Sequence, residues 1–119
     1  TAAAQGFVCI VNNRPDGESP DQPAGGAIRA AAEAAGLRYV AIPVDARGFS
    51  QPMVAAMVDA LAAGKTLAFC RSGTRSTNLW SLASASQGGS IAEITATAAA
   101  AGYDVSGLVG AMAQLGGKA

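Results

Sequence analysis

Three short apolar runs constrain this chain more than any other feature. Residues 7–11, 39–44 and 66–70 are each long enough for a buried strand and too short for a helix, and each runs into a polar loop. Helix punctuation fills the stretches between them. Residues 23–35 are Ala-rich, open on Pro23 and are followed by Gly36; residues 51–63 follow Ser50, carry Pro52 in the first turn and precede Gly64. Proline at the start and glycine just past the end is the asymmetry of a helix. Beyond the third run, residues 76–84 read as a helix broken by Gln87-Gly88-Gly89. Ser90-Ile91-Ala92-Glu93 is a capping box opening a helix to about Ala101, and Asp104 is placed to cap a last short helix holding Leu108, Met112 and Leu115. Buried strands that alternate with helices need crossover connections. The expected fold class is therefore α/β, a central and mostly parallel sheet of about four strands flanked by helices, in a single domain over residues 1–119.

Composition narrows the function classes. Half of the residues are apolar and 13% are charged, enough to bury a core and too little charge for a disordered chain. The net charge is zero and the pI is about 6.0, so no global field draws the chain to nucleic acid or to a membrane surface. No apolar run reaches the length of a membrane span, and no signal peptide is recognisable. Thr1 rather than Met opens the chain, which is expected of a fragment or a processed form. Two cysteines do not make a disulfide framework, so a reducing, cytoplasmic setting is expected. There is no histidine, which removes the Ser-His-Asp triad, the Cys-His pair and the His-ligated zinc site; no metal and no cofactor are expected.

Three polar loops leave the carboxyl ends of the apolar runs, at residues 12–14, 45–48 and 70–76. Ligands of open parallel sheets bind at that rim. The last loop, Cys70-Arg71-Ser72-Gly73-Thr74-Arg75-Ser76, is the chemically loaded one. Small residues let successive backbone N–H groups turn inward as an anion nest, and the following helix adds the positive end of its dipole. Arg71 and Arg75 add full charges, and Arg75, where the loop closes onto the helix, is the better bidentate clamp. Each effect favours thiolate over thiol, so Cys70 is expected to be a nucleophile with a depressed pKa. Cys9 is the contrast: mid-strand between Val8 and Ile10, with no cation expected nearby, it reads as inert core. Asp16 sits in Pro-Asp-Gly and reads as a turn residue; Leu79 and Trp80 read as core. Asn13 and Arg14 are candidate rim residues.

The seven-residue loop resembles the active loops of two enzyme groups. Cys-Arg-Ser-Gly is similar to the start of the rhodanese-type sulfurtransferase loop. Ser76 after Arg75 is similar to the tyrosine and dual-specificity phosphatase pattern, although only four residues separate Cys70 from Arg75 and Phe69 precedes the cysteine. Together with Val11-Asn12-Asn13-Arg14-Pro15-Asp16-Gly17-Glu18, Ile42-Pro43-Val44 and Ala101-Gly102-Tyr103-Asp104, the loop resembles the bacterial beta-lactamase hydrolase-like, phosphatase-like domain family. That resemblance implies a dual-specificity-phosphatase-like fold. The N-terminal strand and most of the first helix usual in the family have no counterpart in this sequence, so the N-terminal edge of the sheet is expected to be truncated. It also implies a link to metallo-hydrolase-like sulfur dioxygenase domains, to which some members are fused, and it puts Asp45 in the place of a phosphatase general acid.

Two chemistries and one binding role follow. In sulfur transfer, the Cys70 thiolate takes a sulfane sulfur, the loop amides and arginines hold the persulfide, and a thiol such as glutathione accepts it. In phosphate ester hydrolysis, Cys70 attacks phosphorus, Arg75 clamps the oxygens and Asp45 protonates the leaving oxygen. In the third reading the loop is a non-catalytic, anion-binding regulatory module. A loop of four intervening residues has a small mouth that suits one sulfur atom, and on that count sulfur transfer leads, with phosphatase activity as the alternative. In every case the partner is a small anionic or sulfane-sulfur substrate.

Overall fold

The computed structural model describes residues 5–15, 22, 25–44, 48–70 and 73–118. Its centre is a three-stranded, wholly parallel sheet of β1 (Cys9–Asn12), β2 (Arg38–Ala41) and β3 (Thr66–Phe69), in the order β2-β1-β3. β1 is buried along its whole length because it lies between the other two. In register, Cys9 faces Arg38 on β2 and Thr66 on β3, and Asn12 faces Ala41 and Phe69. Three strands thus stand among the described residues where about four were expected.

The strand pleat sorts side chains to two faces. Ile10 joins Ala32 and Leu37 in a small cluster with Phe7, Tyr39 and Phe69, under α1 (Gly25–Ala34). Cys9 and Val11 point to the larger cluster, made with Ile42, Val44, Met57, Leu79, Leu82, Ile94, Val105 and Met112. That side is covered by α2 (Gln51–Ala62), α3 (Thr74–Ser86), α4 (Ile91–Ala100) and α5 (Val109–Gln114), the last preceded by a single 3-10 turn at Ser106–Leu108. Leu79 is fully buried and Trp80 packs against the same cluster, as expected of core.

Local signals work as read. Ser50 accepts from the Met53 amide and Ser90 from the Glu93 amide, satisfying helix-end donors. Asp104 Oδ1 accepts from the Ser106 amide, and hydrogen bonds from the Ser106 hydroxyl and then its amide hold the Asp104 carboxyl below the ordinary range. β2 stops earlier than its apolar run. Ile42 and Val44 still donate to Asn12 and Asn13 carbonyls, but Pro43 between them has no N–H to continue a ladder. α3 begins at Thr74, two residues ahead of the expected start, because Gly73 takes a left-handed conformation and serves as its N-cap. Among the described residues no helix is long and apolar enough to cross a membrane.

Candidate active site

The site is built where β3 turns into α3. Cys70 is the first residue past β3 and is partly exposed. Its Sγ accepts a hydrogen bond from the Gly73 amide at 3.1 Å, the contact an inward-turned loop would make with a thiolate. Gly73 has φ of +87°, and a side chain there would meet more than backbone strain. A Cβ would collide with the hydroxyl and ring of Tyr103, which leans on the loop from beyond α4. The left-handed backbone favours glycine here, and a Cβ would in addition have to push the Tyr103 ring aside. The Thr77 hydroxyl donates to the Gly73 carbonyl at 2.7 Å and stiffens the first turn of α3.

Arg75 is half-buried and donates from Nη1 to the Val44 carbonyl at 2.8 Å. This bond ties the first turn of α3 to the end of the β2 segment. It also fixes the guanidinium beside the backbone that leads into Asp45. Ser76 and Asn13 form the bolt beneath. Ser76 Oγ donates to Asn13 Oδ1 at 2.8 Å, and Asn13 Nδ2 donates to the Ile42 carbonyl at 3.0 Å. Both residues are buried, Asn13 completely. Neither behaves as a rim group. The Ser76 proton is committed to Asn13, and both ends of the Asn13 amide are used inside the protein, so the pair locks β1, β2 and α3 together below the loop. Burying such groups is tolerable because each is satisfied.

Of the other expected site residues, Thr74 opens α3 and is exposed. Arg14 lines a different cleft, on the α1 face of the sheet, together with Asn12, Arg29 and Tyr39. Asp45, Arg71 and Ser72 lie outside the described residues. Tyr103 is the residue the site reasoning overlooked. Its only sequence-level signal was the Ala-Gly-Tyr-Asp string, because nothing in spacing announces a contact across thirty positions of chain.

Cys9 is fully buried in the larger cluster, and burial pushes its thiol above the ordinary value. The expectation of no cation near Cys9 does not hold, because strand register brings in one from far along the chain. Arg38 stands directly across from Cys9 on β2, and its charge pulls the thiol the other way, but burial is the stronger effect.

The model of the beta-lactamase hydrolase-like protein, phosphatase-like domain matches residues 1–88. The chain belongs to this family. It is 42% identical over 82 residues to the beta-lactamase hydrolase-like protein of Xylella fastidiosa strain Temecula1, a match covering 67% of this chain and 19% of that protein. It is 43% identical over 94 residues to the protein of the same description from Agrobacterium fabrum, covering 72% of this chain and 20% of the relative. The chain thus spans about a fifth of the length of these relatives. Among solved structures it superposes on a candidate phosphatase from Neisseria meningitidis with a TM-score of 0.74 at 32% identity, over 95% of this chain and 82% of the other. A DUF442 candidate phosphatase from Shewanella putrefaciens gives 0.70 at 22% identity, over 98% and 79%, and shares the fold. The family's phosphatase-like fold is the α/β arrangement described above. These descriptions favour phosphate ester chemistry over the sulfur transfer that loop length suggested. Loop length counts amides but does not say where they point.

Proposed function

We propose that this phosphatase-like domain is a cysteine-dependent hydrolase of phosphate esters, with Cys70 as nucleophile. The observation that carries the reading is the Gly73 amide directed onto Cys70 Sγ at the head of α3, with Arg75 one residue into that helix. A thiolate there is held by an N–H donor and by the helix dipole. In the first step Cys70 attacks phosphorus, an S–P bond forms and the ester P–O bond breaks. Asp45 supplies the proton for the leaving oxygen. In the second step water attacks the cysteinyl-phosphate, the Cys70 thiolate departs and inorganic phosphate is released. Arg75 and the loop amides stabilise charge on the equatorial oxygens in both steps.

A second reading, sulfane-sulfur transfer, is favoured by the four residues between Cys70 and Arg75, which leave a narrow cradle. There Cys70 attacks the outer sulfur of thiosulfate, the S–S bond breaks and sulfite leaves with the electron pair. The Cys70 persulfide then passes its terminal sulfur to a thiol such as glutathione, a chemistry that would serve a sulfur dioxygenase. It needs no proton donor, so Asp45 separates the two readings.

The test is one purified protein in two assays, aryl phosphate hydrolysis and thiosulfate-dependent transfer to cyanide or glutathione. The expected result is phosphate release that Cys70→Ser abolishes and Asp45→Asn depresses strongly. Transfer from thiosulfate that survives Asp45→Asn, with a persulfide on Cys70 and no phosphate release, would move the assignment to the second reading. Activity of neither kind, with oxyanion binding intact in Cys70→Ser, would make the loop a binding module.

A further inference from the structure

Tyr103 stands outside the Cys70 loop in sequence and against it in space. Its hydroxyl and ring occupy the room that a Cβ on Gly73 would take. Local signals bring it there. α4 ends at Ala100, and Gly102 follows with φ of +93°. The Gly102 amide donates to the Ala99 carbonyl and the Tyr103 amide to the Ala98 carbonyl, both at 2.9 Å. This pair of bonds is the Schellman end of a helix, which calls for the left-handed residue that glycine supplies. Two positions on, Val105 is buried in the larger cluster, and the Tyr103 side chain packs against that cluster too. Tyr103 is therefore set between two anchors, the end of α4 behind it and Val105 ahead.

Gly73 is the part of the loop that gains from a support. Its carbonyl accepts from the Thr77 amide at 2.9 Å and from the Thr77 hydroxyl at 2.7 Å, so the side of Gly73 that faces α3 is fixed by the helix. Its amide is given to a sulfur, Cys70 Sγ at 3.1 Å, and a neutral sulfur is a weak acceptor. A glycine has wide backbone freedom, and nothing in its own geometry keeps that amide aimed. The Tyr103 side chain closes off one side of Gly73 and so narrows that freedom. Glycine is also what permits the approach, because a Cβ at position 73 would hold the tyrosine off.

We propose that Tyr103 is a positioning residue of the Cys70 site: by bearing on Gly73 from the end of α4, it keeps the Gly73 amide on the Cys70 sulfur and so sustains the thiolate. This role rests on the reading of Cys70 as a thiolate nucleophile and extends the machinery of that site to the far end of α4. It acts through Gly73 and requires no contact between Tyr103 and substrate.

The test compares Tyr103→Ala, Tyr103→Leu and Tyr103→Phe with the parent, all in the Cys9→Ala protein. Two quantities are read: the pH midpoint of Cys70 alkylation, and the NMR resonance of the Gly73 amide, with the Ile94 amide of α4 as a control for the fold. Leucine keeps apolar packing on the core but not the reach to Gly73, so it serves if alanine does not fold. The expected result is a moved Gly73 resonance, an unmoved Ile94 resonance and a midpoint raised by about half a pH unit or more in the alanine and leucine variants. That rise is a part of what one N–H donor to a charged group contributes. Phenylalanine, which keeps the ring and loses the hydroxyl, should shift both readings by less. A parent midpoint at or above the free-thiol value would count against the thiolate reading, and the Gly73 resonance then decides the contact alone: movement in Tyr103→Leu upholds it, and no movement overturns it. A depressed parent midpoint that stays in place in Tyr103→Ala and Tyr103→Leu would overturn the proposal. So would a rise in KM for aryl phosphate with the midpoint unmoved, which would make Tyr103 a substrate contact instead.

Discussion

Cys9 lies on β1 and Cys70 just past the end of the adjacent β3, and the two stand in opposite chemical settings. Cys9 opens β1, is fully buried, and its thiol is pushed up by burial even though Arg38 stands across from it. Cys70 comes one residue after β3, is partly exposed, and has the Gly73 amide on its sulfur with the N-terminus of α3 behind it. A cation beside a buried thiol loses to desolvation. At a strand end, where water is not fully stripped, an aimed backbone donor meets no such opposing cost. In the proposed hydrolase reading, the reactivity of Cys70 rests on its position at the carboxyl rim rather than on the count of nearby charges.

The comparison is broken most severely by exchanging roles. Cys70→Ser is expected to lower turnover by at least about a thousandfold, the scale of losing a covalent nucleophile, with the melting temperature nearly unchanged. Cys9→Ala should do the reverse, leaving kcat within about twofold while costing about 1–2 kcal/mol of stability in denaturant unfolding. Equal activity losses in the two variants would end the distinction.

Arg75→Ala should follow, at about a hundredfold in kcat/KM, since it removes a charge-stabilising donor. Arg75→Lys should recover only part of this, because an ammonium keeps the charge but not the bidentate fork. Full recovery by lysine would mean that charge alone suffices there.

Gly73→Ala sharpens the contrast from the backbone side. The left-handed conformation costs about 1–2 kcal/mol for an alanine, and the Cβ collides with Tyr103 as well. Stability and activity should both fall, with activity falling about tenfold as the amide leaves Cys70 Sγ. Adding Tyr103→Ala should relieve the collision but not the strain. Complete rescue by the double variant would show that the amide geometry at Cys70 is unimportant.

The smallest effect is alkaline. A thiol whose folded pKa is raised keeps its proton while the unfolded chain loses its own, so the unfolded state binds fewer protons and stability falls with pH. The loss begins above the ordinary thiol value of about 8.5 and has a limiting slope of about 1.4 kcal/mol per pH unit. Cys9→Ala should remove this component of the pH dependence of unfolding, and Cys70→Ser should not.

Much of this was legible in the chain because it is local. Short apolar runs, Pro-first and Gly-last punctuation, and the Ser50 and Ser90 caps each act within a few residues, so they read directly as elements. Cys70 was legible because strand, loop and helix follow one another without interruption. What the chain hid was long-range pairing. Asn13 meets Ser76 across 63 positions, and Arg38 meets Cys9 only through strand register. Asn13 looked like a rim residue because a polar side chain at a strand end usually faces solvent. Its burial depends on a hydroxyl and a carbonyl contributed by two other segments. Arg14 belonged to a cleft on the far face for the same reason, since the pleat that separates it from Asn13 matters only once α1 is in place.

The most direct measurement is the pH dependence of Cys70 alkylation by iodoacetamide in the Cys9→Ala protein. The account predicts a midpoint well below the free-thiol value of about 8.5, rising in Arg75→Ala and rising further in Gly73→Ala. A midpoint at or above the free value, unmoved by either substitution, would contradict it.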